Sequence, residues 1–146
     1  MDAYRDILVA IDFSPSADGV ARRAFDIAAR NDARLSFIHV VEYLPFVMDN
    51  ELMMPPALDV EAQLMSNARA QLAKLMARLG GPAAAEQLVE LGSTKVEILR
   101  IATERAVDLI VVGSHGRHGW ARMLGSTADA VLHGAGCDVL AVRVQQ

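Results

Sequence analysis

The sequence is poor in cysteine, in aromatic residues and in clustered basic residues, and each shortage excludes a class of protein. Cys137 is the only cysteine among 146 residues, so no internal disulfide can form, and we expect this residue to be a small buried hydrophobe. Aromatic residues make up 5% of the chain and hydrophobic residues 53%, which predicts an aliphatic core. The net charge is −4 and no basic block occurs, which argues against nonspecific binding of nucleic acid.

Long apolar runs are missing as well. No run approaches the length of a transmembrane helix, and the first residues do not form a signal-peptide pattern. We therefore expect a cytoplasmic protein without a membrane span. The length predicts a single domain over residues 1–146.

The familiar motifs of catalysis and dinucleotide binding are also absent. The chain has no G-x-x-x-x-G-K-[ST], and the first apolar run is followed by DFSPSAD rather than by G-x-G-x-x-G. It offers no nucleophile elbow, no paired carboxylates at a plausible site and no lysine near its glycine-rich stretch. The four histidines stand at no recognised metal-ligand spacing, so we expect no metal site within the protein. These absences favour a binding protein over a committed enzyme.

The apolar pattern predicts five strands that alternate with four helices. Ser14 with Pro15 is the predicted start of the first helix, Asp59 the predicted cap of the second, and Thr94 to Glu97 has the spacing of a capping box for the third. This alternation predicts an α/β fold, with a parallel sheet and helices on both faces. The predicted strands are 7–11, 35–41, 87–91, 109–112 and 139–142.

The stretch 111–127, VVGSHGRHGWARMLGST, is the main candidate for a ligand site. Three glycines lie within seven residues after the fourth predicted strand, and Gly125, Ser126 and Thr127 precede the next predicted helix. Glycines let backbone N–H groups approach an anion, and the first turn of a helix leaves its N–H groups unpaired. The pattern therefore predicts phosphate binding. Arg117 can pair with a phosphate or simply be solvated.

Asp12 follows the first predicted strand. Ligands of open parallel sheets bind beyond the carboxyl ends of the strands, where the strand order reverses. We place that reversal between the first and fourth strands, which brings Asp12 beside Gly113. The carboxylate can accept a ribose hydroxyl or help to hold a hydrated Mg²⁺ on phosphates, and a plain turn-forming role is the alternative.

These residues resemble the universal stress protein family over nearly the whole chain. The segments that carry the resemblance are ILVAIDFSPSAD, LIVVGSHG and GSTADAVLHGAGCDVLAVRV. The resemblance implies a single-domain, five-stranded parallel sheet of order 3-2-1-4-5, similar to the adenine-nucleotide hydrolase-like group. It also implies ATP binding, a role in the stress response and a homodimer joined through the last strand, 139–144.

The resemblance further implies a set of site residues. Members that bind ATP carry G-x-x-G, nine residues and then G-[ST], whereas eight residues separate Gly116 from Gly125 here. ATP, ADP and AMP therefore stay open as ligands, with Mg²⁺ near Asp12 as a companion ion. Ala10, Ile11 and Asp12 are expected to line the adenosine, and Val40 or Val41 to meet the adenine edge. The residues expected around the ribose and phosphates are Gly113, Ser114, His115, Gly116, Gly125, Ser126 and Thr127.

Two other functions remain open from the sequence. The segment 42–58 combines three prolines with three methionines, and its apolar surface could dock a partner. The chain would then be a dimeric interaction module that carries no nucleotide. A weak ATPase or autokinase that uses a serine or threonine near the glycine-rich stretch is the third hypothesis.

Overall fold

The computed structural model describes residues 2–43, 57–115 and 124–144, of which residues 57 and 58 are described by their backbone alone. Strands and helices alternate along the chain, as the apolar pattern predicts. The elements are β1 (Asp6–Ala10), α1 (Ala17–Asn31), β2 (Arg34–Val41), α2 (Ala57–Leu79), β3 (Glu86–Leu91), α3 (Thr94–Glu104), β4 (Leu109–Gly113), α4 (Ser126–Gly134) and β5 (Asp138–Val142).

The five strands form one parallel sheet in the order β3-β2-β1-β4-β5, which confirms the expected order. The central strand β1 pairs with β2 on one side and with β4 on the other; Val9, for example, stands opposite both Phe37 and Val111. The chain moves outward in one direction through β2 and β3, and in the other through β4 and β5. The strand order therefore reverses between the carboxyl ends of β1 and β4.

Helices bury both faces of the sheet, because successive strand side chains point to opposite sides. Ile7 and Val9 of β1 pack with α1 and α2, whereas Leu8 between them packs with α3 and α4. Cys137 is half-buried against the second cluster, and this burial raises the pKa of its thiol. None of the helices within residues 2–43, 57–115 and 124–144 is long and apolar enough to cross a membrane.

The predicted starts of the first two helices were wrong. The first helix begins at Ala17, because the residues before it form a turn in which the Ala17 N–H donates to the Ser14 carbonyl over 3.0 Å. Pro15 therefore lies in the turn and not at the first helical position. The second helix begins at Ala57, which places Asp59 in its first turn and not at its cap.

The predicted capping box of α3 was wrong as well. The N-cap is Ser93, and Thr94 is already helical. The backbone N–H of Thr94 instead donates to the Glu42 carboxylate over 2.8 Å. This hydrogen bond lowers the pKa of Glu42. The side chain that binds this helix end thus belongs to Glu42, directly after β2, and it reaches α3 because the fold brings two distant segments together.

Candidate functional site

A cleft opens at the carboxyl ends of β1, β2 and β4, where the strand order reverses. Its walls come from these strand ends, from the turn before α1 and from the first turns of α1, α3 and α4. Among the residues expected from the sequence, nine line this cleft: Ala10, Ile11, Asp12, Val40, Gly113, His115, Gly125, Ser126 and Thr127.

The remaining expected residues divide into two groups. Val41 and Ser114 are described and buried but do not line the cleft. Ser114 connects neighbouring elements through its backbone, since its N–H donates to the Val142 carbonyl over 2.8 Å and its carbonyl accepts the Gly125 N–H over 2.7 Å. Gly116 and Arg117 lie outside the described residues, as does most of the methionine-rich segment 42–58.

Sequence reasoning missed about half of the lining. Ser14 and Ser16 belong to the DFSPSAD stretch that follows β1, so their position at a strand end was a usable signal. Thr94 and Ile98 gave no such signal, because they reach the cleft only through the packing of α3 beside β2. The other missed residues are Ala17, Val20, Ile38, Val112 and Ala128.

The N-terminus of α4 supplies backbone donors to the cleft. Gly125 is the N-cap, with φ −62° and ψ 155°, and as a glycine it has no side chain with which to cap the helix. The first intrahelical bond joins the Asp129 N–H to the Gly125 carbonyl over 2.9 Å. The N–H groups of residues 126–128 therefore precede the helical ladder and carry the partial positive charge of a helix end. Such a terminus is suited to an anion.

Asp12 is exposed, and a fixed turn holds its carboxylate at the cleft. One carboxylate oxygen, Oδ1, accepts the Ser14 N–H over 2.9 Å. Phe13 between them has a φ of 58°, which is unusual for an aromatic residue, and its ring stacks on His39 with the centroids 4.1 Å apart. His39 Nδ1 donates to the Ile11 carbonyl over 2.7 Å. Strand β2 thus supports the turn that positions Asp12.

Two residues of the lining contain buried polar atoms that lack a hydrogen-bond partner among the described residues. These atoms are Ser14 Oγ and His115 Nδ1. A buried polar group without a partner costs about 1–3 kcal/mol, so such groups are uncommon unless a ligand or water satisfies them. Their presence in the cleft to which the N-terminus of α4 also contributes indicates a site for a polar ligand.

Known proteins that are similar to this chain include universal stress proteins. The family model described as "Universal stress protein family" matches residues 3–143. Universal stress protein A homologs 1 and 2 of Coxiella burnetii (strain RSA 493 / Nine Mile phase I) are 39% and 42% identical to this chain. Those matches cover 98% and 99% of the chain, and 99% of each relative. A solved universal stress protein in complex with cAMP is 27% identical, with a TM-score of 0.71 and 98% of both chains covered.

Proposed function

This chain belongs to the universal stress protein family, and from that premise we propose that it is a stress-response regulator that binds an adenine nucleotide. The observation that carries the proposal is the cleft itself. The N-terminus of α4, apolar strand ends and two buried polar atoms all line it, and these two atoms have no hydrogen-bond partner among the described residues. A relative of the same fold is described in complex with cAMP, which supports an adenine nucleotide as the ligand.

The chemistry of the lining suggests how the nucleotide lies. Ile38, Val40 and Ile98 form an apolar wall between the sheet and α3, which suits a planar base. Asp12 at the end of β1 is placed to accept a ribose hydroxyl or to hold a Mg²⁺ ion on the phosphates. The phosphates then meet the N-terminus of α4, with Ser126 as an additional donor. Gly116 and Arg117 stay a prediction from the sequence.

Calorimetry with cAMP, AMP, ADP and ATP, each with and without Mg²⁺, tests the proposed function. We expect at least one adenine nucleotide to bind with one site per chain. The number of phosphates and the effect of Mg²⁺ then identify the preferred ligand. A purified protein that binds none of the four nucleotides, and carries none after purification, would refute the proposal.

Asp12→Ala should weaken nucleotide binding more than it weakens the fold. The variant removes an exposed carboxylate that lines the cleft and accepts a hydrogen bond from the Ser14 N–H. We expect about a tenfold loss of affinity by calorimetry, because a hydrogen bond to a charged group contributes about 1.5–3 kcal/mol. The melting temperature of the ligand-free protein should fall only by what the loss of the bond to the Ser14 N–H costs.

Asp12→Asn is the matched control, because its amide oxygen can still accept the Ser14 N–H while the charge is lost. We expect the ligand-free variant to melt as the wild type does and to bind nucleotide more weakly. Unchanged affinity in both variants, together with a large loss of stability in Asp12→Ala, would assign Asp12 a purely structural role.

The edge strand β5 suggests the assembly, and we propose a homodimer paired through residues 139–144. Among the strands that the structure describes, β5 pairs with β4 alone. The Val142 carbonyl accepts the Ser114 N–H and therefore faces β4. Because the backbone N–H and C=O groups of successive strand residues point to opposite edges, those of Ala141 face the open edge. Antiparallel pairing of two copies about a two-fold axis satisfies such groups and closes the interface.

A further inference from the structure

Three helices begin at the cleft, and their N-termini are not equivalent. The N–H of Thr94 at the start of α3 donates to the Glu42 carboxylate, so an anionic side chain of the protein already occupies that terminus. The start of α4 is the phosphate position proposed above. Ser16 and Ala17 at the start of α1 also line the cleft, and the proposed function gives this third terminus no ligand.

The N-terminus of α1 has donors to offer. The first i→i−4 bond of this helix joins the Val20 N–H to the Ser16 carbonyl over 3.1 Å, so the N–H groups of residues 18 and 19 precede the ladder. Ser16 is the N-cap, and its side chain makes no capping hydrogen bond. With 15 residues, α1 is long enough to develop a partial positive charge at this end.

An acidic residue in the first turn does not cancel this charge. Asp18 is bound by both terminal nitrogens of Arg78, each 2.7 Å from a carboxylate oxygen. This pairing lowers the pKa of Asp18, so the residue stays ionised. Its negative charge is balanced by the guanidinium of α2, which leaves the helix end able to attract another anion.

Ser14 supplies an independent indication of a ligand. The residue is 7% exposed and lines the cleft beside the first turn of α1. Its N–H donates to Asp12 and its carbonyl accepts the Ala17 N–H, but its hydroxyl has no hydrogen-bond partner among the described residues. A phosphate oxygen at this place would accept the hydroxyl proton and relieve the cost of the buried group.

We infer that the Ser14 hydroxyl and the N-terminus of α1 form a second phosphate subsite, distinct from the one at α4. The inference rests on the proposed function, since it extends the nucleotide site. The phosphate is either a distal group of a nucleoside di- or triphosphate or an inorganic phosphate bound beside a nucleoside monophosphate. The nearby Asp12 carboxylate opposes an anion, but the Ser14 N–H partly offsets its charge.

Calorimetry on Ser14→Ala tests the subsite, with AMP, ADP and ATP as ligands and inorganic phosphate titrated into AMP-saturated protein. We expect unchanged affinity for AMP and about a tenfold loss for whichever ligand places a phosphate at α1. A loss with ADP and ATP identifies the nucleotide's own phosphate, and a loss with inorganic phosphate identifies the separate ion. The ligand-free variant should melt no lower than the wild type, because the substitution removes a hydroxyl without a partner.

Two further variants serve as controls for Ser14→Ala. Ser36→Ala removes a half-buried hydroxyl from β2 at the opposite end of the sheet and should bind every ligand as the wild type does. Ser14→Cys nearly keeps the volume of the side chain but replaces the hydroxyl with a thiol, which is only a weak hydrogen-bond donor. This variant replaces Ser14→Ala if the alanine protein is unstable, and we expect it to show the same selective loss of affinity.

Different results would refute the α1 subsite and the proposed nucleotide binding. Equal losses for AMP, ADP and ATP in the Ser14 variants, or no loss with any ligand, would overturn the α1 subsite while nucleotide binding stands. A wild type that binds no nucleotide would end the proposed function. Inorganic phosphate alone then tests α1: binding that Ser14→Ala abolishes supports the subsite, and a wild type that binds no phosphate overturns it.

Discussion

We expect Gly125→Val to weaken the proposed nucleotide binding at least tenfold, or about 1.4 kcal/mol, in a protein that still folds. Gly125 lines the cleft as the N-cap of α4, and a side chain there would occupy the space of the proposed phosphate next to the helix end. Its φ of −62° and ψ of 155° lie in extended space that valine adopts without strain. The loss of a favourable N-cap costs the ligand-free fold about 1 kcal/mol.

Gly136→Val is the matched control for this substitution. A Cβ at Gly136 meets nothing within 4 Å, and the residue lies in the turn between α4 and β5, away from the cleft. The control should keep the nucleotide affinity of the wild type by calorimetry. Equal affinity in the wild type and Gly125→Val would refute phosphate binding at the start of α4.

We expect Ala141→Pro to convert the proposed homodimer into a monomer or an aggregate. The side chain of Ala141 is exposed, and its backbone N–H faces the open edge of β5. Proline removes that donor and leaves the pairing of β5 with β4 in place, because edge strands tolerate proline where the N–H faces outward. Light scattering on both proteins at high micromolar concentration should report the change in mass.

Ala141→Ser separates the backbone effect from the side-chain effect. Serine alters the same exposed position but keeps the N–H, so this variant should remain a dimer. A wild-type chain that is monomeric at high micromolar concentration would rule out pairing through β5. The methionine-rich segment 42–58 would then be the next surface to test.

The strands and the glycine-rich stretch could be read from the sequence because their signals are local. Continuous apolar runs mark buried parallel strands, and each observed strand bound lies within one residue of the predicted one. Gly125, Ser126 and Thr127 were recognisable as a helix start that suits an anion, and they line the cleft. The order of the strands came from the family resemblance.

The start of α3 and its contribution to the cleft lining depended on partners far away in the chain. The N-terminus of α3 is capped by Glu42, 52 residues before Thr94, so no local capping pattern could reveal it. Thr94 and Ile98 reach the cleft because α3 packs beside β2.

Local sequence patterns were enough to predict the alternation of strands and helices and the aliphatic core, and they led to the hypothesis that an anion binds at the start of α4. The three-dimensional fold was needed to show that α1, α3 and α4 begin at one cleft and that Glu42 binds one of these termini. It also left the Ser14 hydroxyl buried without a partner among the described residues. The physical reason is that hydrophobic periodicity and turn chemistry act over a few residues, whereas burial and hydrogen-bond partners are set by segments that the sheet brings together.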